Sequence, residues 1–388
     1  MPTEKIYDTQ PHKYDFTANV LSCEQKEGAF EVTLDKTAFF HEGGGQECDT
    51  GKIGDARVSY VYEKDGTVYH VCDKAASGEA LCSVDAAPRF SRMQNHSAEH
   101  IVSGIIHSLF GYDNVGFHLG DDRVTLDING KLGKDDIERV ELLANEAVWK
   151  NLPVRVKYIS PDDTEKTEYR SKKEIEGRIR VVTIEGVDSC ACCAPHVERT
   201  GEIGMIKLVD PMNYKGGTRV FMLAGDKAFA DYSERYRQTR EISVMLSAKQ
   251  GEICDAVRRL AAELEKEKAA LSEKKKEIAS YIVKEAVQTS GEKIIFVSDL
   301  DGGSIRRVVN ACVERDGALC ALFSLSARGG YDYMISGGGI DLRALAQDIN
   351  KSFDARGGGN AQAISGHIND TEDAIRSYFA QRTDKRDN

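Results

Sequence analysis

No run of this 388-residue chain approaches the roughly 18 consecutive apolar residues that a membrane-spanning helix requires. Its opening, Met1-Pro2-Thr3-Glu4-Lys5, lacks the apolar stretch of a secretory signal. The expected address is cytoplasmic, with no membrane partner. An excess of basic residues is also missing: 52 Lys and Arg stand against 63 Asp and Glu, for a net charge of −11. That balance weighs against tight, nonspecific binding of nucleic acid, although a local basic face remains compatible with it. Between residues 227 and 287 proline is absent and the sole glycine is Gly251, so little interrupts a helix there.

What is present fits a globular protein of two or three domains, with 41% hydrophobic and 30% charged residues. Seven of the ten cysteines are scattered and read as small apolar residues or idle thiols. The other three, Cys190, Cys192 and Cys193, crowd together, which in a reducing compartment points to metal or redox chemistry rather than disulfides.

The expected fold class is α+β, in four parts. Residues 1–88 form a small β-barrel-like domain, because short apolar–polar alternations recur there and Asp65-Gly66 marks a hairpin. Residues 89–226 form an α+β domain, with helices from Met93 to Leu109 and from Asp135 to Trp149 and a third opening at Ser160-Pro161. Its strands are expected at Arg178–Glu185, Gly204–Val209 and Thr218–Leu223. Residues 227–288 form a helical stalk: Val257, Leu264, Leu271 and Ile278 recur every seven residues, which suits either a coiled coil or one amphipathic helix packed on its own domain. Residues 289–388 alternate apolar runs and helical patterns and read as a C-terminal α/β domain.

Two short patterns carry the chemistry. His96 and His100 lie four apart in a predicted helix, so both imidazoles leave one face. Cys192 and His196 repeat the spacing in a strand-to-loop setting. Imidazoles with one thiolate suit zinc better than magnesium or calcium. Cys190 or Cys193 can stand in for Cys192 on sequence grounds. A third pattern, Phe40-His41-Glu42-Gly43-Gly44-Gly45-Gln46, carries three consecutive glycines. Gly43, Gly44 and Gly45 then form either a loop that lets a substrate approach closely or a plain tight connection. His96 to His100 also matches the H-x-x-E-H pattern of inverted zinc proteases, so a metallopeptidase is one rival, and a non-catalytic zinc and RNA-binding module is another.

The glycine segment resembles the Pro-Glu-Gly-Gly-Gly-Gln motif of the alanyl-tRNA editing family, AlaX, with His41 where proline is common. Gln94-Asn95-His96 to His100 resembles that family's first metal motif. Cys192 to His196 resembles its second, with Ala194-Pro195 in place of Gly-Thr. The likeness covers about residues 5–225. The C-terminal part is similar to the domain that follows the editing unit in alanyl-tRNA synthetase and in DHH phosphoesterases, through Ser336 to Gly339 and Gly357 to Gln362. No Asp-His-His triplet occurs in the chain, and no aminoacylation segment precedes the editing region, so the long, free-standing form is expected.

The resemblance implies hydrolysis of the ester joining serine or glycine to the 3′ end of tRNA(Ala), at Zn2+ held by His96, His100, Cys192 and His196. Four protein ligands close a tetrahedral zinc, so catalysis needs a loose ligand, a fifth position, or a metal that positions the substrate. Gln46 is expected to bond a serine hydroxyl or the terminal ribose. Glu99 is either a base for water or a solvated surface acid, and His118 either touches substrate or is structural. Arg356 with Gly357, Gly358 and Gly359 is the candidate phosphate contact, with a surface arginine at a turn as its alternative. The expected partners are mischarged tRNA and a second copy of the chain, joined through the stalk and the C-terminal domain.

Overall fold

The alternation across residues 14–85 closes a six-stranded antiparallel barrel, in the order β2-β3-β7-β6-β5-β8. Its strands are β2 (Asp15–Lys26), β3 (Ala29–Leu34), β5 (Gly51–Ile53), β6 (Ala56–Lys64), β7 (Thr67–Cys72) and β8 (Glu79–Val84). Short β1 (Glu4–Lys5) and β4 (Lys36–Thr37) pair in parallel beside it. Every second side chain points inward, and Val32, Leu34, Ile53, Val58, Val61, Val68 and Cys82 fill the interior. The Asp65-Gly66 turn has φ of 51° and 78°, the left-handed pair that a two-residue hairpin requires. The structure, a computed structural model, describes residues 2–120, 123–160, 169–171 and 178–384. The helix expected from Ser160-Pro161 falls outside the described residues.

The chain forms two compact units, Met1–Glu241 and Ile242–Asn388. In the first, the barrel is followed by α1 (Ala86–Phe110), β9 (Asn114–Leu119), β10 (Val124–Ile128), α2 (Lys134–Trp149), β11 (Val154–Ile159), β12 (Ile179–Ile184), β13 (Asp188–Ala191), β14 (Ile206–Tyr214), β15 (Gly217–Ala224) and α3 (Asp226–Met245). The strands make a four-stranded sheet, β14-β15-β10-β9, and a three-stranded one, β11-β12-β13. Met93, Ile101, Val102 and Ile106 of α1 share a core with Val140 and Ala144 of α2 and with Val124, Leu126, Val220 and Met222 of the larger sheet. Helix α1 begins seven residues before the expected Met93. Its extra turns carry Arg89, whose guanidinium is buried against the Asp49 carboxylate, so the sequence offers a charge where the structure has an interior contact.

The unit boundary falls within α3. The second unit continues with α4 (Ile253–Ala286), β16 (Lys293–Ser298), α5 (Gly302–Asp316), β17 (Cys320–Leu325), β18 (Tyr331–Ser336), α6 (Leu342–Ser352), β19 (Ala355–Gly359), β20 (Ala363–Ile368) and α7 (Glu372–Asp384). Its sheet runs β16-β17-β18-β20-β19. Only β16 and β17, joined through α5, are parallel, so the expected α/β pattern proves to be a mixed sheet, antiparallel elsewhere.

The segment expected as a stalk is two helices, α3 and α4, broken at residues 246–252, where Ser247 takes φ 49°. The end of α4 packs Ala279, Ile282 and Val283 against Ile305, Val308 and Val309 of α5. The heptad row Val257, Leu264, Leu271 and Ile278 instead lies about half exposed. The helix thus packs on its own unit over its last turns, while its heptad row is left about half exposed. No helix among the described residues is long and apolar enough to cross a membrane.

Candidate metal centre and its pocket

Helix α1 supplies two ligand candidates and the segment after β13 supplies two more. His96 and His100 project from one side of α1, and Cys192 and His196 flank the turn that leaves β13. One ligand atom from each of the four lies within 4.8 Å of every other. Cys192 Sγ stands 3.5 Å from His96 Nε2 and 3.4 Å from His196 Nε2. A tetrahedron with bonds of about 2.0–2.3 Å has edges of roughly 3.3–3.7 Å, so the four donors suit a zinc-sized ion. The three imidazoles are 2–3% exposed, which leaves water little access from their side.

The outer nitrogen of each imidazole is also engaged. His96 Nδ1 lies 2.9 Å from Gln46 Oε1, His196 Nδ1 3.0 Å from Ser97 Oγ and His100 Nδ1 3.1 Å from Asp188 Oδ2. With Nδ1–H donating outward, each Nε2 keeps its lone pair for the centre, the tautomer a metal ligand needs. Burial would raise the Cys192 thiol, but the imidazoles of His96 and His196, with hydrogen bonds from His100 and His196, hold it well below the ordinary range. Burial pushes His196 down to about 3. Burial opposes charge on His100 too, yet its bonds to Asp188 and Cys192 hold it well above the usual imidazole range. A thiolate and a neutral imidazole are the donor forms a divalent ion takes, and its binding would displace the proton that His100 retains. The donor set therefore fits a metal such as zinc.

Cys190 belongs to a different grouping, with His100 and Asp188. Cys193 is exposed, and burial of its sulfur raises the thiol to about 11. Neither replaces Cys192 in the four-residue cluster. Among the described residues that cluster holds no glutamate, the ligand an inverted zinc protease adds to its two histidines.

The glycine segment reaches the site as a tight turn. Gly43 and Gln46 exchange backbone hydrogen bonds of 3.0 Å, and Gly44 and Gly45 take φ of 62° and 81°. A Cβ on Gly45 would stand 2.5 Å from Phe117 Cδ1, so the turn seats against β9 only because that atom is missing. The turn's approach is fixed from the barrel side. Asp49 accepts from Phe40 N at 2.7 Å and from the buried Arg89 of α1, and Arg89 also donates to Ala38 O at 3.1 Å. The glycines thus form a tight connection whose outer face lines a pocket.

That pocket, of about 530 Å3, is lined by Gly44, Gly45, His96, Glu99, His100 and Phe117, with Ser171, Arg178, Arg180 and residues 190–193 opposite. Glu99 is 3% exposed, so the solvated surface acid is corrected. Its Oε1 accepts from Ser103 Oγ at 2.7 Å and Asn114 Nδ2 at 2.6 Å, and its Oε2 lies 3.9 Å from His100 Nε2. His118 is exposed on β9, and its neighbour Phe117 faces the pocket; strand alternation turns adjacent side chains to opposite faces. His118 is thus not a buried structural imidazole, and it does not line this pocket. Gln46 is buried with its Oε1 on His96, while its Nε2 has no partner among the described residues.

In the second unit, Gly357, Gly358 and Gly359 are strand residues of β19, not a turn. The outward amide of Gly357 donates to Asn350 Oδ1 at 3.0 Å, so it is not presented to a phosphate. Arg356 is exposed on that strand and lines an open cavity of about 1120 Å3, together with Arg306, Arg328 and His367 but also Asp301, Asp332 and Asp354.

Sequence reasoning missed Asp188, Ser97 and Arg180. Arg180 is buried and donates to the carbonyls of Cys192 and Ala194, shaping the ligand turn. No spacing rule marks these residues, because each acts from a different element.

Residues 179–221, which contain Cys192 and His196, match the family model for the Threonyl and Alanyl tRNA synthetase second additional domain. The chain is similar to alanine–tRNA ligase of Methanopyrus kandleri, at 28% identity over 94% of this chain and 42% of the relative. It is similar to alanyl-tRNA editing protein Aarsd1-A of Xenopus laevis, at 31% identity over 60% of this chain and 58% of the relative. With alanyl-tRNA editing protein AlaX-L of Pyrococcus horikoshii the identity is 30%, over 53% of this chain and 54% of the relative. The chain thus spans about half the length of these relatives. The segment that carries two of the four donors thus matches a synthetase-associated domain, and the chain is similar in sequence to alanyl-tRNA editing proteins and to alanine–tRNA ligases.

Proposed function

We propose that the chain is an aminoacyl-tRNA deacylase that removes serine or glycine from mischarged tRNA(Ala), with zinc held by His96, His100, Cys192 and His196. The observation that carries the reading is the convergence of those four donors, three of which, His96, His100 and Cys192, line a pocket bordered by the glycine turn. The relatives' names support the choice of tRNA(Ala). When bound, zinc polarises the ester carbonyl and lowers the pKa of water.

The chain's own residues do the remainder. Glu99 Oε2, held at the pocket wall through Oε1, receives a proton from the attacking water. Gly44 and Gly45 let the terminal ribose approach the backbone, and the Phe117 ring limits the size of the amino-acid side chain. The exposed guanidinium of Arg178 lies at the pocket for the terminal phosphates. Gln46 Nε2, a buried donor without a partner among the described residues, follows the lining residue Gly45 and is assigned to the serine hydroxyl. Leaving such a donor unpaired costs more than losing a methylene, which favours serine over alanine and makes glycine a poorer substrate than serine. The exposed row of α4 and the second unit are assigned to pairing two chains or to gripping the tRNA body.

The test is deacylation of Ser-, Gly- and Ala-tRNA(Ala) by catalytic amounts of protein, with and without a chelator. Loss of serine or glycine that the chelator stops, with alanine retained, supports the reading. Unchanged charging of all three would overturn it and favour a binding module.

A further inference from the structure

The three imidazoles differ in what holds them. His96 has the Gln46 amide and His196 the Ser97 hydroxyl, both neutral. Among the described residues His100 alone of the three has a carboxylate on its outer nitrogen, and that carboxylate has a cation behind it: Arg170 Nε donates to Asp188 Oδ1 at 2.7 Å, while Oδ2 accepts from His100 Nδ1 at 3.1 Å. Asp188 is 9% exposed.

Two backbone features fix this chain of contacts. Arg170 N donates to Ser189 O at 2.8 Å and Ala191 N to Arg170 O at 2.9 Å, so Arg170 is stitched onto β13, the strand that starts with Asp188. On the other side, Gly104 sits one helical turn beyond His100 in α1. A Cβ there would stand 2.5 Å from Val187 O and 2.7 Å from Asp188 Cβ. The missing atom lets the start of β13 close onto α1, beneath His100. The contacts link Arg170 to a helix and a strand, and none of these four hydrogen bonds is local in sequence.

We infer that Arg170 is a positioning residue of the metal centre: through Asp188 it fixes the His100 ring and sets how tightly the four-ligand cluster retains a divalent ion. A carboxylate on the outer nitrogen raises the basicity of the inner one and locks the ring's direction, and removing such a partner commonly weakens metal affinity 10–100-fold, to order of magnitude. The guanidinium keeps the carboxylate from turning to another donor. Because Ser171 lines the pocket, the same segment joins the substrate wall to the metal cluster. The inference rests on reading the four donors as metal ligands and is independent of ester hydrolysis.

The experiment measures zinc affinity of the full chain by competition with a chromophoric chelator at pH 7. It compares wild type with Asp188→Asn, Arg170→Gln, Arg170→Lys and the Arg170→Gln/Asp188→Asn double variant, and records thermal unfolding of each metal-free protein. Asp188→Asn is expected to weaken zinc roughly 10–100-fold and Arg170→Gln about tenfold, with Arg170→Lys regaining most of the loss. The double variant should match Asp188→Asn alone, because Arg170 acts through that carboxylate. Wild-type affinity in Arg170→Gln would overturn the inference. So would a double variant losing the product of the two single effects, or a loss of affinity that only tracks unfolding. If Arg170→Gln does not fold, wild-type affinity in Asp188→Asn overturns it instead. Zinc bound as expected by a protein that deacylates nothing sinks the proposed enzyme and leaves this inference standing.

Discussion

Replacing Gly45 with alanine puts a single methyl group where the glycine turn meets β9. At φ 81° a side chain carries a left-handed penalty of roughly 1–2 kcal/mol. The new Cβ would also sit 2.5 Å from Phe117 Cδ1 and 3.1 Å from Cε1, well inside contact distance. The Phe117 ring is hemmed in by His96, with centroids 5.0 Å apart, so relief by rotation presses on a ligand. Overpacking of this kind costs roughly 1–3 kcal/mol, for a sum of about 2–5 kcal/mol. With two compact units a single unfolding free energy is ill-defined, so the suitable assay is local: amide hydrogen exchange read by mass spectrometry across Phe40–Asp49. Protection there should fall by about thirtyfold or more. The double variant Gly45→Ala/Phe117→Ala should recover the packing share and keep the φ share. Unchanged protection in Gly45→Ala, or no recovery in the double variant, would refute the claim that the turn is held by contact with Phe117.

His70, fully buried in the barrel, donates from Nδ1 to Val32 O at 3.0 Å, which leaves Nε2 to accept from Thr37 Oγ1 at 2.9 Å, and burial lowers it to about 4. The unfolded chain takes up this proton near pH 6.5 and the barrel refuses it until about pH 4. Stability from this group is therefore present above pH 6.5 and lost as pH falls, by about 3 kcal/mol in all. His70→Gln should flatten that part of the pH–stability curve, and an unchanged slope would count against the assignment. Leu264→Lys with Leu271→Lys breaks the exposed α4 row; sedimentation should then show a smaller particle with zinc content unaltered, whereas an unchanged mass would remove the row from any dimer contact.

How much of this was legible depends on how local the information is. The His96–His100 pair could be read because four residues make about one helical turn, and the Cys192–His196 pair repeats that spacing. Asp65-Gly66 announced its hairpin through the backbone those residues tolerate. Glu99 looked like a surface acid because its two partners come from one turn further along α1 and from β9, which no single-element pattern connects. His118 was named for the pocket that its neighbour Phe117 lines, because alternation gives the period of a strand but not its phase. Gly357 to Gly359 read as a loop since glycine weakens strands. The second unit uses the missing atoms instead: a Cβ on Gly357 would stand 2.1 Å from Tyr333 Oη. The exposed α4 row carried a heptad, yet whether such a row is covered is decided outside the helix that bears it.

The central claim is that two residues of one helix and two of a later turn share a single divalent ion. X-ray absorption at the zinc edge of the zinc-loaded full chain tests it most directly. The account predicts three nitrogen scatterers at about 2.0–2.1 Å and one sulfur at about 2.3 Å, with the sulfur lost in Cys192→Ala. Absence of bound zinc, a shell without sulfur, or a sulfur that persists in Cys192→Ala would contradict it.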